Sequence, residues 1–407
     1  MFEKEVNPEG VDKADLVVCI PSYNEADSIS FPVTQASEGL TKFFPEERSV
    51  IINTDNNSPD GTREAFLNTP TERPKIYLST EPGVKGKGNN FRNLFEKVVE
   101  LEAKAVVVVD ADLKSITPRW IKNLGEPLFN DFAYVAPLYV RHKYDGTITN
   151  GIAYPLSRAL YGRRVRQPIG GDFGFSGNLA KVYLENGAWD EATANFGIDI
   201  WMTTIALNEG LPICQSFMGR PKVHRPKDPA ASLGPMFRQV IGTIFSLMTH
   251  FEDTWTRVKY SKPTAIFGFG LGEVEMPPKV DVDAKKLFEK FLAGFEAFEP
   301  VWKEVLFEDS FRKLLEIKGM KERVFAFPTD LWARILYDMG VAYRDRVREP
   351  DLLMESLIPL YYGRTFSFVK KTRRMSTQQA EEAIEEDCNT FEMTKPYLLK
   401  RWKGEMG

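Results

Sequence analysis

The sequence predicts a doubly wound α/β fold with a mostly parallel, Rossmann-like sheet, followed by a helical C-terminal extension. Three observations predict it. First, the apolar runs LVVCIP (16–21), SVIINTD (49–55), KIYLS (75–79) and AVVVVDAD (105–112) are near-continuous rather than alternating. That is the pattern of strands buried on both faces of a parallel sheet. Second, the segments between them carry helical spacing: in 86–102, Phe91, Leu94, Phe95, Val98 and Val99 recur on one stripe. Third, almost everything beyond residue 281 has helical periodicity.

Taken in order, the first strand ends at Pro21, the second at Asp55 and the fourth in Asp110-Ala111-Asp112. Ser58 followed by Pro59 reads as a helix N-cap with proline in the first turn. The middle, 133–235, mixes the strand-like FAYVAPLYV with the glycine-rich QPIGGDFGFSGN. A helix over 236–251 places Met236, Val240, Ile244, Leu247 and Phe251 on one stripe, and GFGLGEVEMPPKVD (268–281) reads as a linker. These boundaries predict a larger α/β domain over 1–267, with halves 1–115 and 116–267, and a helical domain over 268–407.

With 407 residues, 43% hydrophobic and 27% charged, the chain has the composition of an ordinary globular protein with a sizeable core. A net charge of −4 argues against a nucleic-acid-binding surface. Cys19, Cys214 and Cys388 lack paired or metal-ligand spacing, which fits buried thiols in a reducing compartment. The opening MFEKEVNPEGVDKAD is polar, and no run approaches the ~20 apolar residues of a membrane span. The expectation is a cytoplasmic protein with no membrane or nucleic-acid partner.

In an open α/β sheet, ligands sit at the carboxyl ends of the strands. Three such ends are polar here: Pro21-Ser22-Tyr23-Asn24-Glu25, Asp55-Asn56-Asn57 and Asp110-Ala111-Asp112. Two carboxylates at i and i+2 of an extended chain point the same way and repel. A cation relieves that repulsion, and so does solvent at an exposed strand end. A hard divalent ion, Mg²⁺ or Mn²⁺, suits carboxylate oxygens and keeps positions for phosphate. GVKGKGNN (83–90) adds three glycines, Lys87 and a following helix N-terminus, which together suit an oxyanion, although a plain basic turn has the same composition. Neither the Walker pattern nor a G-x-G-x-x-G after a strand is present. Of the three histidines, His250 lies in the apolar helix, whereas His224 lies in VHRPKDP, as a structural residue or as a nitrogen ligand. Asp199 in FGIDIW is placed for a first-turn helix carboxylate. Arg158, Arg163, Arg164 and Arg166 form a cationic cluster that is either a solvated helix face or an anion site.

Read together, IPSYNEADSI, TDNNSPDGT, GKGNN, VVDAD, QPIGGDFGFSGN, FGIDIW and VHRPKDPAASLGPMFRQV resemble the GT-A glycosyltransferases. Within them the chain is most similar to the retaining glucosyl- and mannosylglycerate synthases, including the glucosyl-3-phosphoglycerate synthases. The resemblance covers about residues 16–240. It implies a nucleotide-sugar site made by Pro21, Ser22, Glu25, Asp55, Lys87, Asp110, Ala111, Gly171 and Asp172, with Lys87 on the diphosphate. It implies Asp112 and His224 as metal ligands for Mg²⁺ or Mn²⁺. Asp172, Asp199 and Lys87 would be catalytic, and Asp199, Arg158 and Arg225 would face the acceptor.

The implied reaction moves glucose or mannose from a nucleotide-diphosphate sugar to glycerate, with retained configuration, in a homo-oligomer. Products of this kind serve as compatible solutes or polysaccharide precursors. Members that use 3-phosphoglycerate carry a Gly-Gly-Gly-Arg-type loop, where this chain has TNGIAYPLSRALYGRRVRQ; that difference favours free glycerate over its phosphate. An inverting, family-2-like transferase is the less favoured alternative, since Q-x-x-R-W is missing and LLKRW is the nearest match. A sugar-nucleotide pyrophosphorylase is disfavoured because PSYNEAD stands where its glycine-rich loop belongs. A silent binding module need not keep Lys87, Asp110, Asp112 and His224 together.

Overall fold

The structure is a computed structural model and describes residues 4–224, 229–268 and 275–406; for 229–233 it describes the backbone. The chain divides into two compact units. The first holds Met1–Val140, Val165–Asp228 and Thr264–Pro277, the second Arg141–Arg164, Pro229–Pro263 and Pro278–Gly407.

In chain order the first unit begins with β1 (Glu5–Val6), β2 (Leu16–Ser22), α1 (Ser30–Phe43), β3 (Ser49–Asp55) and α2 (Thr62–Asn68). It continues with β4 (Lys75–Ser79), α3 (Lys87–Glu100), β5 (Ala105–Val108), α4 (Pro118–Gly125) and β6 (Tyr134–Leu138). The second unit then takes α5 (Tyr154–Tyr161) and β7 (Arg163–Arg164). The first resumes with β8 (Phe173–Ser176), α6 (Gly177–Glu185), α7 (Ile198–Asn208) and β9 (Ile213–Phe217). Next come α8 (Pro229–His250), α9 (Glu252–Trp255) and β10 (Lys262–Pro263) of the second unit, and β11 (Ala265–Phe267) of the first. Helices α10 (Ala284–Val305), α11 (Glu308–Lys318), α12 (Thr329–Arg344), α13 (Pro350–Thr372) and α14 (Thr377–Trp402) complete the second unit.

The first unit is built on a sheet of order β1-β4-β3-β2-β5-β8-β6-β9-β11. Neighbours pair in parallel except for β1 on β4, β8 on β5 and β6 on β8. The valine run forms β5 because both its faces are covered: Val106, Val107 and Val108 have no exposed surface. Each such burial stabilises by roughly 1.5–3 kcal/mol. On one face Val18, Ile20 and Val107 join Val33 and Leu40 of α1 and Ile121 and Leu124 of α4. On the other, Phe95 of α3 packs edge-on to Phe175 of β8 and against Tyr183 of α6.

In the second unit α10 and α13 approach closely at two glycines. A Cβ at Gly294 would lie 2.2 Å from Pro359 Cβ, and one at Gly363 2.5 Å from the Phe291 ring. Phe288, Phe291, Phe325 and Phe366 interlock beside them.

The mostly parallel sheet and the helical C-terminal region match the sequence expectation, with differences that have local causes. The strand expected over 105–112 ends at Val108, because the Asp110 amide donates to the Asp172 carboxylate (2.9 Å) rather than to a neighbouring strand. The acids therefore lie in a turn. Ser58 does not cap a helix: α2 starts at Thr62 with Gly61 as its N-cap, at φ +94°. Residues 141–164 and 229–263 do not stay with the sheet. They join the C-terminal helices through contacts such as Phe237 of α8 on Tyr361 of α13 and Arg158 of α5 on Glu392 of α14. The expected single cut at 267 is therefore two interleaved units.

Candidate active site

The carboxyl ends of β3, β2 and β5 lie side by side, and the loops that leave them are fixed by one another's side chains. TDNNSPDGT folds as a bracket for the PSYNEA loop. Ser58 Oγ accepts from the Asn24 amide (2.8 Å), Thr62 Oγ1 from Glu25 (2.9 Å) and Asp60 Oδ2 from Ala26 (3.1 Å). Asp55 has no exposed surface. It accepts from Ser22 Oγ (2.7 Å), from the Ser58 amide and hydroxyl (2.7 and 2.6 Å) and from Tyr77 (3.0 Å). Asp55 and Ser22 thus tie the end of β2 to the loop that follows β3. Pro21 is buried within β2, and Glu25 is half-buried, accepting from Ser28 Oγ at 2.5 Å.

GKGNN has a different partner from the one its glycines suggest. A Cβ at Gly86 would lie 2.3 Å from the Ala194 carbonyl, and one at Gly88 2.0 Å from the Thr193 carbonyl. The Gly88 and Asn89 amides, at the start of α3, donate to the carbonyls of Asn195 (3.2 Å) and Ala194 (3.1 Å). These helix-start amides are therefore bonded to the 193–195 backbone. The glycines allow α3 to seat on the segment that leads into α7 and Asp199. Asn56 and Asn90 complete the seat: Asn56 brackets the Gly86 amide (3.0 Å) and carbonyl (3.3 Å) and donates to Asn90 (2.7 Å), which donates to the Ser22 carbonyl (3.0 Å).

That seating brings Lys87 between two acids. Its ammonium lies 3.2 Å from Asp110 Oδ1 and 3.1 Å from Asp199 Oδ1, although the three residues are far apart in sequence. A second ammonium, Lys222, sits on the other side of Asp110, 2.6 Å from Oδ2 and 3.0 Å from Asp172 Oδ2. Asp172 has no exposed surface and also accepts from the Asp110 amide and the Tyr139 hydroxyl. Three carboxylates and two ammoniums thus form one alternating network. Burial pushes the Asp199 carboxyl above the usual carboxylate range, against the pull of Lys87. For Lys87, burial opposes the charge, but Asp110 and Asp199 outweigh it and hold the ammonium well above its ordinary value.

Asp112 follows in the turn, with little exposed surface, and the next residue, Leu113, forms an antiparallel bridge with His224. A carboxylate and an imidazole on bridged backbone segments suit Mg²⁺ or Mn²⁺ when phosphate oxygens supply the remaining positions. Among the described residues no group of three His, Cys, Asp or Glu is placed to hold a metal ion.

The other expected residues fall elsewhere. The Ala111 side chain belongs to the apolar core. Gly171, at φ +86°, lies against the Asp110–Lys222 pair. Arg158 is in the second unit, 1% exposed, with its nitrogens on Glu385 (2.5 Å), Glu392 (2.5 Å), Asn389 (2.6 Å) and Ser261 (3.1 Å). Its guanidinium holds α5 to α14, and the acceptor role expected of it has no support. Arg225 lies outside the described residues. Sequence reasoning missed Lys222, Tyr139, Asn56 and Asn90. For Lys222 the one available signal was a lysine two residues before His224.

Residues 17–179 match the model of glycosyl transferase family 2. The chain carries a glycosyl transferase family 2 domain. The matched segment spans β2 to α6 and contains Lys87, Asp110, Asp112 and Asp172, while Asp199 and Lys222 lie beyond it. The fold is similar to that of solved Mycobacterium tuberculosis glucosyl-3-phosphoglycerate synthase. In the complex with Mg²⁺ and UDP the identity is 23%, over 57% of this chain and 79% of that one, with a TM-score of 0.46. In the complex with Mn²⁺, UDP and glucosyl-3-phosphoglycerate it is 24%, over 57% and 79%, with a TM-score of 0.45. No curated protein matches the chain. Among the described residues no helix of the family 2 domain or of the rest of the chain is long and apolar enough to cross a membrane.

Proposed function

We propose that this glycosyltransferase moves glucose or mannose from a nucleotide-diphosphate sugar to the hydroxyl of D-glycerate, with retained anomeric configuration and with Mg²⁺ or Mn²⁺. The observation that carries the proposal is the meeting of Lys87, Asp110 and Asp199 at the carboxyl ends of the central strands. Asp112 and His224 would hold the metal, which when bound supplies positive charge to the diphosphate. Lys87 bonds to two acids and has one ammonium hydrogen left to give to a departing phosphate oxygen. A buried, preorganised ammonium of this kind stabilises negative charge as it develops on the leaving group.

Asp199 pairs with Lys87 from the first turn of α7, where it would orient an acceptor hydroxyl. A carboxylate nucleophile would be the other route to retention. Asp172 is unsuited to it, being fully buried with both oxygens engaged. We favour attack from the leaving-group face, with the diphosphate drawing off the acceptor proton. Mass spectrometry of the unsubstituted protein after incubation with donor then finds no sugar adduct on Asp199 or Asp172; a covalent adduct on either contradicts this route.

Free glycerate is preferred to 3-phosphoglycerate because Arg158, the buried member of the arginine cluster, is committed to Glu385, Glu392 and Asn389. The solved neighbours include complexes with UDP-glucose and phosphoglyceric acid, which makes the phosphate the acceptor to test beside it. The experiment is nucleoside diphosphate release with UDP-, GDP- and ADP-linked glucose and mannose, each with D-glycerate, 3-phosphoglycerate or no acceptor, with and without metal. Release that requires metal and D-glycerate supports the proposal. Release only with 3-phosphoglycerate replaces the acceptor, and no release in any combination removes the reading.

A further inference from the structure

We infer that Lys222 is a positioning residue: an internal ammonium that fixes Asp110 against the Gly170–Asp172 loop, leaving Lys87 as the ammonium that meets the ligand. The inference rests on the transferase reading for its rate readout only.

An ammonium has three donors. Those of Lys222 have three acceptors: Asp110 Oδ2 at 2.6 Å, the Gly170 carbonyl at 2.9 Å and Asp172 Oδ2 at 3.0 Å. Its side chain is 6% exposed, with the ammonium 5.6 Å from the centre of the Tyr139 ring. Among the described residues the charged groups that Lys87 contacts are Asp110 and Asp199, and its side chain is 17% exposed. The two lysines look alike in charge but differ in what they have left to give.

The surroundings of Lys222 are shaped for the pair it makes. A Cβ on Gly171 would lie 2.7 Å from both Lys222 Nζ and Asp110 Oδ2, so only glycine leaves room for the ion pair. The same residue adopts φ +86°, in the left-handed region. Asp172 closes the loop by accepting from both the Asp110 amide and Lys222. The second glycine of QPIGGD, its aspartate and a lysine far along the chain therefore form one device that holds the backbone and side chain of Asp110. Without the ammonium, Asp110 and Asp172 are neighbouring carboxylates that repel, and Asp110 moves. A shift of about 1 Å at a reacting centre costs on the order of 100-fold in rate.

The test compares Lys222→Met with Lys87→Met. Binding is read by calorimetry with UDP and Mg²⁺, with GDP in parallel, and kcat is read with the donor and acceptor that wild type uses. For Lys222→Met the expected result is a kcat lower by about 100-fold and a nucleotide Kd within about threefold of wild type. For Lys87→Met the Kd rises by about tenfold or more. In ¹⁵N-lysine spectra, the Lys222 ammonium signal, assigned by its loss in Lys222→Met, stays in place when nucleotide and Mg²⁺ are added, while that of Lys87 moves.

A Lys222→Met protein that loses nucleotide affinity as Lys87→Met does, at unchanged kcat, makes Lys222 a ligand contact and overturns the inference. So does a variant equal to wild type in both readouts. If Lys222→Met does not fold, Gly171→Ala, which displaces the same ion pair without removing a charge, must show the lowered kcat at retained affinity; wild-type kinetics there also overturn the inference. A wild type that binds nucleotide but transfers nothing refutes the transferase reading instead, and the spectra and calorimetry still decide the role of Lys222.

Discussion

Gly88 shows how much of the site depends on one missing methyl group. Its α-carbon faces the Thr193 carbonyl, and an added Cβ would lie 2.0 Å away. Gly88→Ala must push the 193–195 segment outward, and that segment leads directly into α7 and Asp199. Overpacking of this kind costs ~1–3 kcal/mol. We expect a lower melting temperature together with at least a tenfold loss of kcat/KM for the donor, measured on folded protein; unchanged kinetics would separate the glycine from the site. At this scale the sequence was legible in residue identity but not in role. Asp55 and Asp172 were read beside Asp110 as ligand contacts, yet both are fully buried with their oxygens engaged. A buried acid and an exposed one are the same letter, and only the partners separate them. The glycines of GKGNN looked made for phosphate because the carbonyls they clear lie far along the chain.

Among elements, the central strands were readable because each is buried on both faces and so is apolar throughout. β8 was not: FGFS is short, follows a glycine-rich turn and enters antiparallel between β5 and β6. The amino ends of the same strands carry a testable electrostatic pin. Asp15, ahead of β2, receives Arg48 Nε (2.8 Å) from ahead of β3 and Lys104 (3.1 Å) from ahead of β5. The bond from Arg48, assisted by Lys104, holds the Asp15 carboxyl well below the usual carboxylate range. A depressed carboxyl adds stability above its unfolded pKa and loses it as pH falls toward the folded value. Asp15→Asn should therefore lower the melting temperature at neutral pH, with the gap closing as pH falls below about 4. A gap independent of pH would assign the loss to packing instead. In the second unit Gly294→Ala, with its Cβ 2.2 Å from Pro359, should destabilise the α10–α13 pair by ~1–3 kcal/mol, read by denaturant unfolding.

For the whole chain, the interleaving of the two units decides what can be cut. A chain ending at residue 267 keeps α5 and α8 but removes α12, α13 and α14, against which they pack. Arg158 would lose Glu385, Glu392 and Asn389, leaving a charge buried without its partners, and Phe237 would lose Tyr361. The truncated chain should be insoluble, whereas a soluble, cooperatively folding fragment would restore the single boundary that the linker-like 268–281 suggested. For the reaction, the family 2 match makes an inverting outcome the alternative to exclude. The most direct measurement is proton NMR of the reaction as it proceeds, with an α-linked nucleotide sugar, D-glycerate and Mg²⁺. Retaining transfer replaces the donor's anomeric doublet by that of an α-configured glycoside of glycerate, with a small coupling for glucose and nucleoside diphosphate formed in equal amount. A β-configured product contradicts retention, and a donor signal that persists with glycerate present contradicts the transfer itself.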